Sequence, residues 1–252
     1  ASTDNNSRLK GNHYTFDMIT VTGAENIIMA AVLADGQTIL DNCAQEPEVV
    51  DLCEMLIKLG ANIEGVGTSR LTINGVQQLS GGEYTIMPDR IEVGTYLVAG
   101  AMTYGDVTVN QCKPEHQEAT IEALLNTGCG VEVGKDFIRV FPKAPKLQAF
   151  DIKTQPYPKF ATDMQAQFMA LATIAEGKST IIETIFENRF MHANELSRMG
   201  AQIRIEDHMA IISGVDQLSG AEVSATDLRA SAALILAGLV ADGTTTMDHI
   251  YH

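Results

Sequence analysis

The apolar positions along the chain form a repeating pattern. Nearly all-apolar stretches, rich in Ala, Leu, Ile and Met on every side, each end at a glycine and are followed by a short run rich in Thr, Val and Ile. The stretches predict buried helices that end at a C′ glycine, and the runs predict strands. The predicted helices span residues 26–35, 94–104, 165–176 and 230–242, and the predicted strands span 38–40, 107–109, 180–182 and 244–247.

A second kind of helix follows the first of these strands. Residues 47–59 place charged side chains such as Glu48 on one helical face and apolar side chains such as Leu56 on the other, which predicts an amphipathic helix. Two short strands, at 61–64 and 70–73, are predicted to come next. The order within one unit is therefore β-α-β-α-β-β, which predicts an α/β fold built from repeats.

The repeat has a measurable period. The helix-ending glycines are 69, 72 and 66 residues apart, at positions 36, 105, 177 and 243. A similar phrase also occurs twice, as Gly-Val-Gln-Gln-Leu-Ser-Gly at 75–81 and as Gly-Val-Asp-Gln-Leu-Ser-Gly at 214–220. With a unit of about 70 residues the chain holds three and a half units. We therefore expect a fragment, a trimmed polypeptide or one piece of a complex.

Net charge restricts the expected partners and location. The 252 residues include 17 Lys and Arg against 32 Asp and Glu, a net charge of -15, which repels phosphate backbones and acidic membrane surfaces. Neither nucleic acid nor a membrane is an expected partner. No apolar run reaches the roughly 18 residues of a membrane helix, and the first residues lack a leader pattern. We expect a cytoplasmic protein whose four cysteines, none in a CxxC pair, are reduced.

Five phrases, in order and at consistent spacing, carry a family resemblance. They are Glu-Pro-Glu-Val-Val-Asp at 46–51, Met-Pro-Asp-Arg-Ile-Glu at 87–92, Thr-Asp-Met-Gln-Ala-Gln-Phe at 162–168, Phe-Glu-Asn-Arg-Phe-Met-His at 186–192 and Thr-Asp-Leu-Arg-Ala-Ser-Ala at 226–232. From about Arg8 to its end, the chain resembles the later part of the bacterial UDP-N-acetylglucosamine enolpyruvyl transferases, also called UDP-N-acetylglucosamine 1-carboxyvinyltransferases.

The resemblance implies a fold and a domain organisation. The fold is that of the enolpyruvyl transferases, an inside-out α/β barrel built from repeated β-α-β-α-β-β units, three in each of two domains. Residues 1–87 would be the last repeat unit of the first domain. Residues 88–252 would be most of the second domain, comprising two full units and half of a third.

The resemblance also implies an activity. Enzymes of this family transfer the enolpyruvyl group of phosphoenolpyruvate to the 3-hydroxyl of UDP-N-acetylglucosamine and release phosphate, which is the first committed step of peptidoglycan synthesis in cell wall biogenesis. No cofactor or metal is implied. The loop with the family's proton-donating cysteine has no counterpart here, so we expect the chain alone to be inactive or weakly active. The missing N-terminal part of the parent chain is a further expected partner.

Two other functions stay open. One is the sister transferase that uses shikimate 3-phosphate as acceptor, which shares the fold and the reaction. The other is a non-catalytic module that binds a sugar nucleotide. A comparison of the two acceptors would separate the enzymes, and addition of the N-terminal part would separate a fragment from a binding module.

Three charged residues match the family's catalytic positions. Asp163 matches a carboxylate that contacts the sugar hydroxyl, which makes it a candidate general base; its other interpretation is a helix N-cap. Arg189 and Arg229 match arginines that hold phosphoenolpyruvate or close the domains around it. The other interpretation of Arg229 is an ion pair with Asp227, two residues earlier.

The resemblance also assigns substrate-binding positions. A strand end followed by a helix start offers backbone N–H groups that can bind a diphosphate without basic side chains. Ile185 matches a position that contacts substrate mostly through its backbone, and Asp163 is included among the binding residues. The positions at the strand end are Met18, Ile19, Thr20, Val21 and Thr22.

The remaining polar candidates have other assignments. A cleft or hinge role is a hypothesis for Glu46, Asp89, Arg90 and Asp227. Carboxylates in the first turn after Pro47 are better explained by the helix dipole than by a metal. His192 is interpreted as a polar surface or hinge residue, and Cys112 as an inert strand-end residue.

Overall fold

The computed structural model describes residues 8–251, so the first seven residues and His252, on which part of the leader and domain predictions fall, lie outside it. The chain divides into two compact units. One comprises residues up to Met87 together with Pro156–Pro158, and the other comprises Pro88–Gln155 and the residues from Lys159 onward. The assignment of these units to two domains of a larger protein stays a prediction.

The first unit has the predicted order of elements. It contains strand β1 (His13–Thr15), helix α1 (Val21–Ala31), strand β2 (Gln37–Asp41), helix α2 (Pro47–Lys58), strand β3 (Asn62–Glu64) and strand β4 (Arg70–Asn74). The sheet order is β1-β2-β4-β3, with β1 parallel to β2 and the other pairs antiparallel. Buried Ile28 on α1, Leu56 on α2 and Ile73 on β4 belong to one core that joins the two helices to the sheet.

The second unit repeats the same elements. In chain order it contains α3 (Arg90–Met102), β5 (Val107–Asn110), α4 (Glu118–Asn126), β6 (Gly130–Val133), β7 (Phe137–Phe141), β8 (Asp151–Lys153), α5 (Gln165–Ala172), β9 (Lys178–Ile182), α6 (His192–Arg198), β10 (Gln202–Glu206), β11 (Met209–Ser213), β12 (Glu222–Ser224), α7 (Leu228–Val240) and β13 (Thr246–Asp248).

Sheet topology identifies the repeat in the second unit. The order β10-β11-β9-β8, with β8 parallel to β9, reproduces the order and directions of the sheet in the first unit. The other two sheets are the antiparallel β5-β7-β6 and the parallel pair β12-β13. None of the sheets formed by residues 8–251 closes into a barrel.

The three mostly apolar helices of the second unit, α3, α5 and α7, pack against one another in its core. All eight residues of α5 are buried, as the all-apolar pattern predicts. Phe168 on this helix is 0% exposed and makes edge-to-face contacts with Phe160 and Phe150, at centroid distances of 5.0 and 5.8 Å. Burial of this ring alone contributes roughly 2–3 kcal/mol.

Four predicted helix boundaries were wrong by four or five residues. Helix α1 ends at Ala31 rather than 35, and α3 begins at Arg90 rather than 94. The other two have local reasons. Helix α1 begins at Val21 rather than near residue 26, because the Thr20 hydroxyl accepts the N–H of Gly23 and caps the helix. Helix α5 ends at Ala172 rather than 176, because Ile174 and Ala175 donate to carbonyls three residues earlier and tighten the last turn.

The duplicated glycine phrase marks a close backbone crossing in each unit. The N–H of Gly75 donates to the carbonyl of Gly36 at 2.9 Å, and that of Gly214 donates to Gly177 at 3.0 Å. A Cβ at Gly75 would lie 1.8 Å from the Ala34 oxygen, and one at Gly214 would lie 1.7 Å from the Ala175 oxygen. Only glycine fits where the last strand passes the end of the buried helix.

Candidate active site

Asp163 lies in the turn that precedes helix α5. Residues Thr162–Met164 form a short 3-10 helix whose N-cap, Ala161, makes no side-chain capping bond. The Asp163 side chain does not cap α5 either, since the residue before that helix also lacks a capping bond. The N-cap interpretation of Asp163 was therefore wrong, and its carboxylate is used elsewhere.

The carboxylate of Asp163 binds two arginines that are distant in sequence. Its Oδ1 lies 2.7 Å from Nη2 of Arg189, and its Oδ2 lies 2.9 Å from Nη2 of Arg229. The exposed fractions of the three side chains are 37%, 21% and 25%, respectively. Burial acts to raise the pKa of Asp163, but the charge of Arg229 and the hydrogen bond and charge of Arg189 outweigh it, so the pKa lies below its usual value.

The loop after β9 holds Arg189 in place. Besides Asp163, its guanidinium donates through Nη1 to the hydroxyl of Thr162 at 2.7 Å. The guanidinium carbon also lies 4.6 Å from the ring centroid of Phe186, which is a cation–π contact. Arg189 is thus fixed by a hydroxyl, a carboxylate and an aromatic ring, which favours one orientation of its remaining donors.

The sequence interpretation missed Glu183, which is 1% exposed and connects this loop to the Asp163 turn. Its Oε2 accepts the Thr162 hydroxyl at 2.9 Å. Its Oε1 accepts the Thr154 hydroxyl and the N–H of Ile185, each at 2.8 Å, and the N–H of Phe186 at 3.2 Å. The inward positions of β9 alternate, so a glutamate two residues after buried Ile181 was a usable signal of a buried carboxylate.

Asp227 caps helix α7 and does not pair with the Arg229 side chain. One of its carboxylate oxygens accepts the N–H groups of Arg229 and Ala230, at 2.8 and 2.9 Å. The Arg229 guanidinium instead reaches Asp163. The interpretation of Asp227 and Arg229 as a local ion pair was therefore wrong, because the Arg229 guanidinium binds Asp163.

His192 is buried beside these charges, not at the surface. It is the first residue of α6 and is 2% exposed, and within residues 8–251 its Nε2 has no hydrogen-bond partner. Burial lowers the pKa of His192 to about 4, with a smaller opposing effect from Asp227 and a further lowering by Arg189. The surface interpretation was wrong because the side chain is buried, whereas the hinge interpretation stays a prediction.

The remaining candidates of the second unit have structural partners. Asp89 caps α3 by accepting the N–H of Ile91 at 2.8 Å, and the carbonyl of Arg90 accepts the side-chain amide of Gln117. Ile185 is 36% exposed, and Glu183 accepts its N–H, so a backbone contact to substrate would use its carbonyl. Cys112 is buried, and burial raises the pKa of its thiol.

The first unit holds the other predicted substrate contacts. Met18 is 70% and Ile19 39% exposed, and Thr20 is the N-cap of α1, so Val21 and Thr22 present the first N–H groups of that helix. Glu46 is 8% exposed, and its Oε1 accepts the N–H of Tyr157 at 3.3 Å. The roles of these residues, and of Asp89, Arg90 and Asp227, stay predictions.

Over residues 8–251, no cluster of three or more His, Cys, Asp or Glu side chains is arranged to hold a metal ion. No helix in the same range is both long and apolar enough to cross a membrane.

The fold is that of the enolpyruvyl transferases. Among solved structures, the enolpyruvyl transferase NikO from Streptomyces tendae matches with a TM-score of 0.83 and 27% identity, over 92% of this chain and 55% of that one. An EPSP synthase from Acinetobacter baumannii matches with a TM-score of 0.68 and 21% identity, over 96% and 59%, which supports the fold alone.

The sequence comparisons give the family. The profile described as EPSP synthase (3-phosphoshikimate 1-carboxyvinyltransferase) matches residues 2–252, so the chain belongs to that family. A UDP-N-acetylglucosamine 1-carboxyvinyltransferase from Xylella fastidiosa strain 9a5c is 56% identical over 245 residues, and the protein of that name from strain M23 is 55% identical. The chain spans 58% of the length of these relatives. The predicted resemblance is confirmed.

Proposed function

We propose that this chain carries part of the active site of an enzyme that transfers the enolpyruvyl group of phosphoenolpyruvate to the 3-hydroxyl of UDP-N-acetylglucosamine, with release of phosphate. The observation that carries the proposal is the convergence of Asp163, Arg189 and Arg229 in the second unit. The names of the relatives at 55% and 56% identity support the choice of acceptor.

The reaction needs positive charge around phosphoenolpyruvate. Its phosphate and carboxylate groups require cations in a chain whose net charge is -15. The three side chains of Arg189, Arg229 and Asp163 together carry one net positive charge. Each guanidinium has five N–H groups, and the bond from Arg229 to Asp163 uses only one nitrogen of that side chain. The other donors can hold the anionic groups as bidentate pairs.

Asp163 is proposed as the general base toward the 3-hydroxyl. With its pKa lowered by both arginines, it would be a weak base. Anionic groups of phosphoenolpyruvate would compete for the same guanidinium groups, and the loss of those hydrogen bonds raises a carboxyl pKa. The site would thus gain a stronger base when phosphoenolpyruvate is bound.

Residues 18–22 and Ile185 are proposed to contact the sugar nucleotide. The exposed start of helix α1 can bind a diphosphate through its N–H groups. A cytoplasmic location, a role in peptidoglycan synthesis, the absence of nucleic-acid and membrane partners, and an N-terminal partner segment stay parts of the proposal. So does the expectation that the chain alone is inactive or weakly active.

The test is phosphate release from the two substrates. The 252-residue polypeptide is assayed alone and mixed with the N-terminal part of the Xylella relative, and we expect turnover only in the mixture. Asp163→Asn should lower that turnover at least a hundredfold, whereas Asp136→Asn, an exposed control in the same unit, should not. Full turnover by Asp163→Asn would refute the general-base assignment.

Shikimate 3-phosphate is the second candidate acceptor, because the matching family profile carries that name. The complemented protein is titrated with each acceptor at fixed phosphoenolpyruvate. Turnover with shikimate 3-phosphate alone would overturn the sugar-nucleotide proposal. Binding of UDP-N-acetylglucosamine without turnover in the mixture would instead indicate a binding module.

A further inference from the structure

In the first unit, an arginine side chain occupies the C-terminal end of helix α1, which buries only Ala24, Ile28 and Ala31 and is not the fully buried helix that the apolar pattern predicted. The guanidinium of Arg8 donates through Nε to the backbone oxygen of Leu33 at 2.9 Å, and through Nη2 to those of Ala34, at 2.8 Å, and Val76. Leu33 and Ala34 follow the last turn of α1, and Val76 follows the close crossing at Gly75. The planar, forked guanidinium suits this group of three carbonyls.

The repeat gives the equivalent place in the second unit. In the first unit the N–H of Asp35 donates to the Leu9 oxygen, and in the second the N–H of Glu176 donates to the Leu147 oxygen, at 2.6 and 2.7 Å. Both pairs belong to parallel bridges next to the buried helix. Lys146 therefore corresponds to Arg8. The equivalents of Leu33, Ala34 and Val76 are Ile174, Ala175 and Val215.

Lys146 does not fill the position that Arg8 fills. Its Nζ lies 3.0 Å from Oδ1 of Asp216, at the surface. A cavity of about 460 Å³ lies at this place, and Ile174, Ala175 and Val215 all line it. No backbone N–H within residues 8–251 donates to the oxygens of these three residues. The second unit thus has three backbone oxygens equivalent to those that Arg8 binds in the first unit, but it has no guanidinium bound to them.

A third repeat also has a side-chain hydrogen-bond donor at this position. The N–H of Asp242 donates to Leu218 at 2.8 Å, which makes Gln217 the equivalent of Arg8 and Val240 the equivalent of Leu33. The side-chain amide of Gln217 donates to the Val240 oxygen at 2.8 Å. Lys146 is the exception because Asp216 binds its ammonium group.

The electrostatics of the cavity favour a cation. Residues at or just after the C-terminal ends of α3, α5 and α7 line it, including Met102, Ala175 and Val240, and helix C-termini carry partial negative charge. The side chains that line the cavity include two carboxylates, Glu176 and Asp216, and one ammonium group, Lys146, so the lining also carries a net charge of about -1. An anion would be repelled, whereas a cation with several N–H donors satisfies the open carbonyls.

We propose that this cavity binds a guanidinium group, in the way that Arg8 binds in the first unit. The volume is within the roughly 300–1,000 Å³ of small-molecule sites and exceeds that of a guanidinium alone. The ligand therefore carries an attached chain, either as a small guanidine compound or as an arginine side chain. The proposal does not depend on the enzymatic activity proposed above.

The test compares methylguanidinium with methylurea and methylammonium. Amide signals in a ¹⁵N-labelled sample are followed during titration, with the peptide acetyl-Gly-Gly-Arg-Gly-Gly-amide as a separate arm. We expect saturable shifts near Ile174, Ala175 and Val215 with methylguanidinium only. If the peptide also causes these shifts, an arginine side chain is a source of the guanidinium group. If the peptide causes no shifts, the ligand is a small guanidine compound. Equal shifts with methylurea or methylammonium would overturn the proposal.

The matched variant is Lys146→Arg, which puts a guanidinium on the residue equivalent to Arg8. It should weaken methylguanidinium binding at least tenfold and raise Tm by about 2–4 °C. In the first unit, Arg8→Gln should lower Tm, and methylguanidinium should restore part of the loss. Unchanged binding by Lys146→Arg would place the ligand elsewhere and refute the assignment.

Discussion

Replacing Glu183 by glutamine tests the buried carboxylate that holds the loop of Arg189. The substitution keeps the shape but leaves a neutral oxygen for the three donors at Oε1, from Thr154, Ile185 and Phe186. Hydrogen bonds to charged groups contribute about 1 kcal/mol more than neutral ones, so the three bonds together lose about 3 kcal/mol. Removal of a buried charge returns part of this. We expect a net destabilisation of about 2 kcal/mol.

The assay is urea unfolding followed by circular dichroism at pH 7. Glu183→Gln should lower the urea midpoint at an unchanged slope. Glu222→Gln removes the same charge from an exposed position on β12 and should change the unfolding free energy by less than about 0.5 kcal/mol. If the two variants unfold alike, Glu183 is not the stabilising centre of the loop.

Three further changes test other parts of the fold. The folded-state pKa of His192 is about 4, against an ordinary value of 6.5, so unfolding takes up a proton between these pH values. Stability of about 3 kcal/mol that is present above pH 6.5 should therefore be lost as pH falls to 4. His192→Gln should remove this pH dependence, measured by calorimetry. Phe168→Ala should cost about 3–5 kcal/mol in urea unfolding, and a loss under 1 kcal/mol would contradict its central packing. Gly214→Ala should cost over about 2 kcal/mol because its Cβ would meet the Ala175 oxygen at 1.7 Å, whereas Gly81→Ala, which meets no atom within 4 Å, should be close to neutral.

Much of the fold was predictable because the repeat amplifies weak local signals. One all-apolar stretch is ambiguous, but four at a period of about 70 residues, each with a glycine and a β-rich run after it, predict one unit. The structure has those helices and strands in the predicted order in the first unit. Boundaries failed where one side-chain bond decides them, as the Thr20 cap does at the start of α1.

The site was less accessible to sequence reasoning. Spacing alone does not bring Arg189 and Arg229 to Asp163, since they lie 26 and 66 residues away, and only the family resemblance suggested that they meet. Glu183 and His192 were missed or misassigned because burial of a polar residue depends on tertiary packing. The contact of Arg8 with the end of α1 could not be predicted either, because its acceptors are backbone oxygens, which have no sequence signature.

The direction of the buried helices explains why opposite charges are favoured at their two ends. The N-terminal ends of α5 and α7 meet at Asp163, where partial positive charge supports the carboxylates of Asp163 and Asp227. The Asp163 carboxylate in turn binds two guanidinium groups, which brings Arg189 and Arg229 close together. At the opposite ends, unpaired carbonyls and the carboxylates of Glu176 and Asp216 favour a cation. For the anionic substrate proposed above, the two guanidinium groups at Asp163 would supply local positive charge in a chain whose net charge is -15.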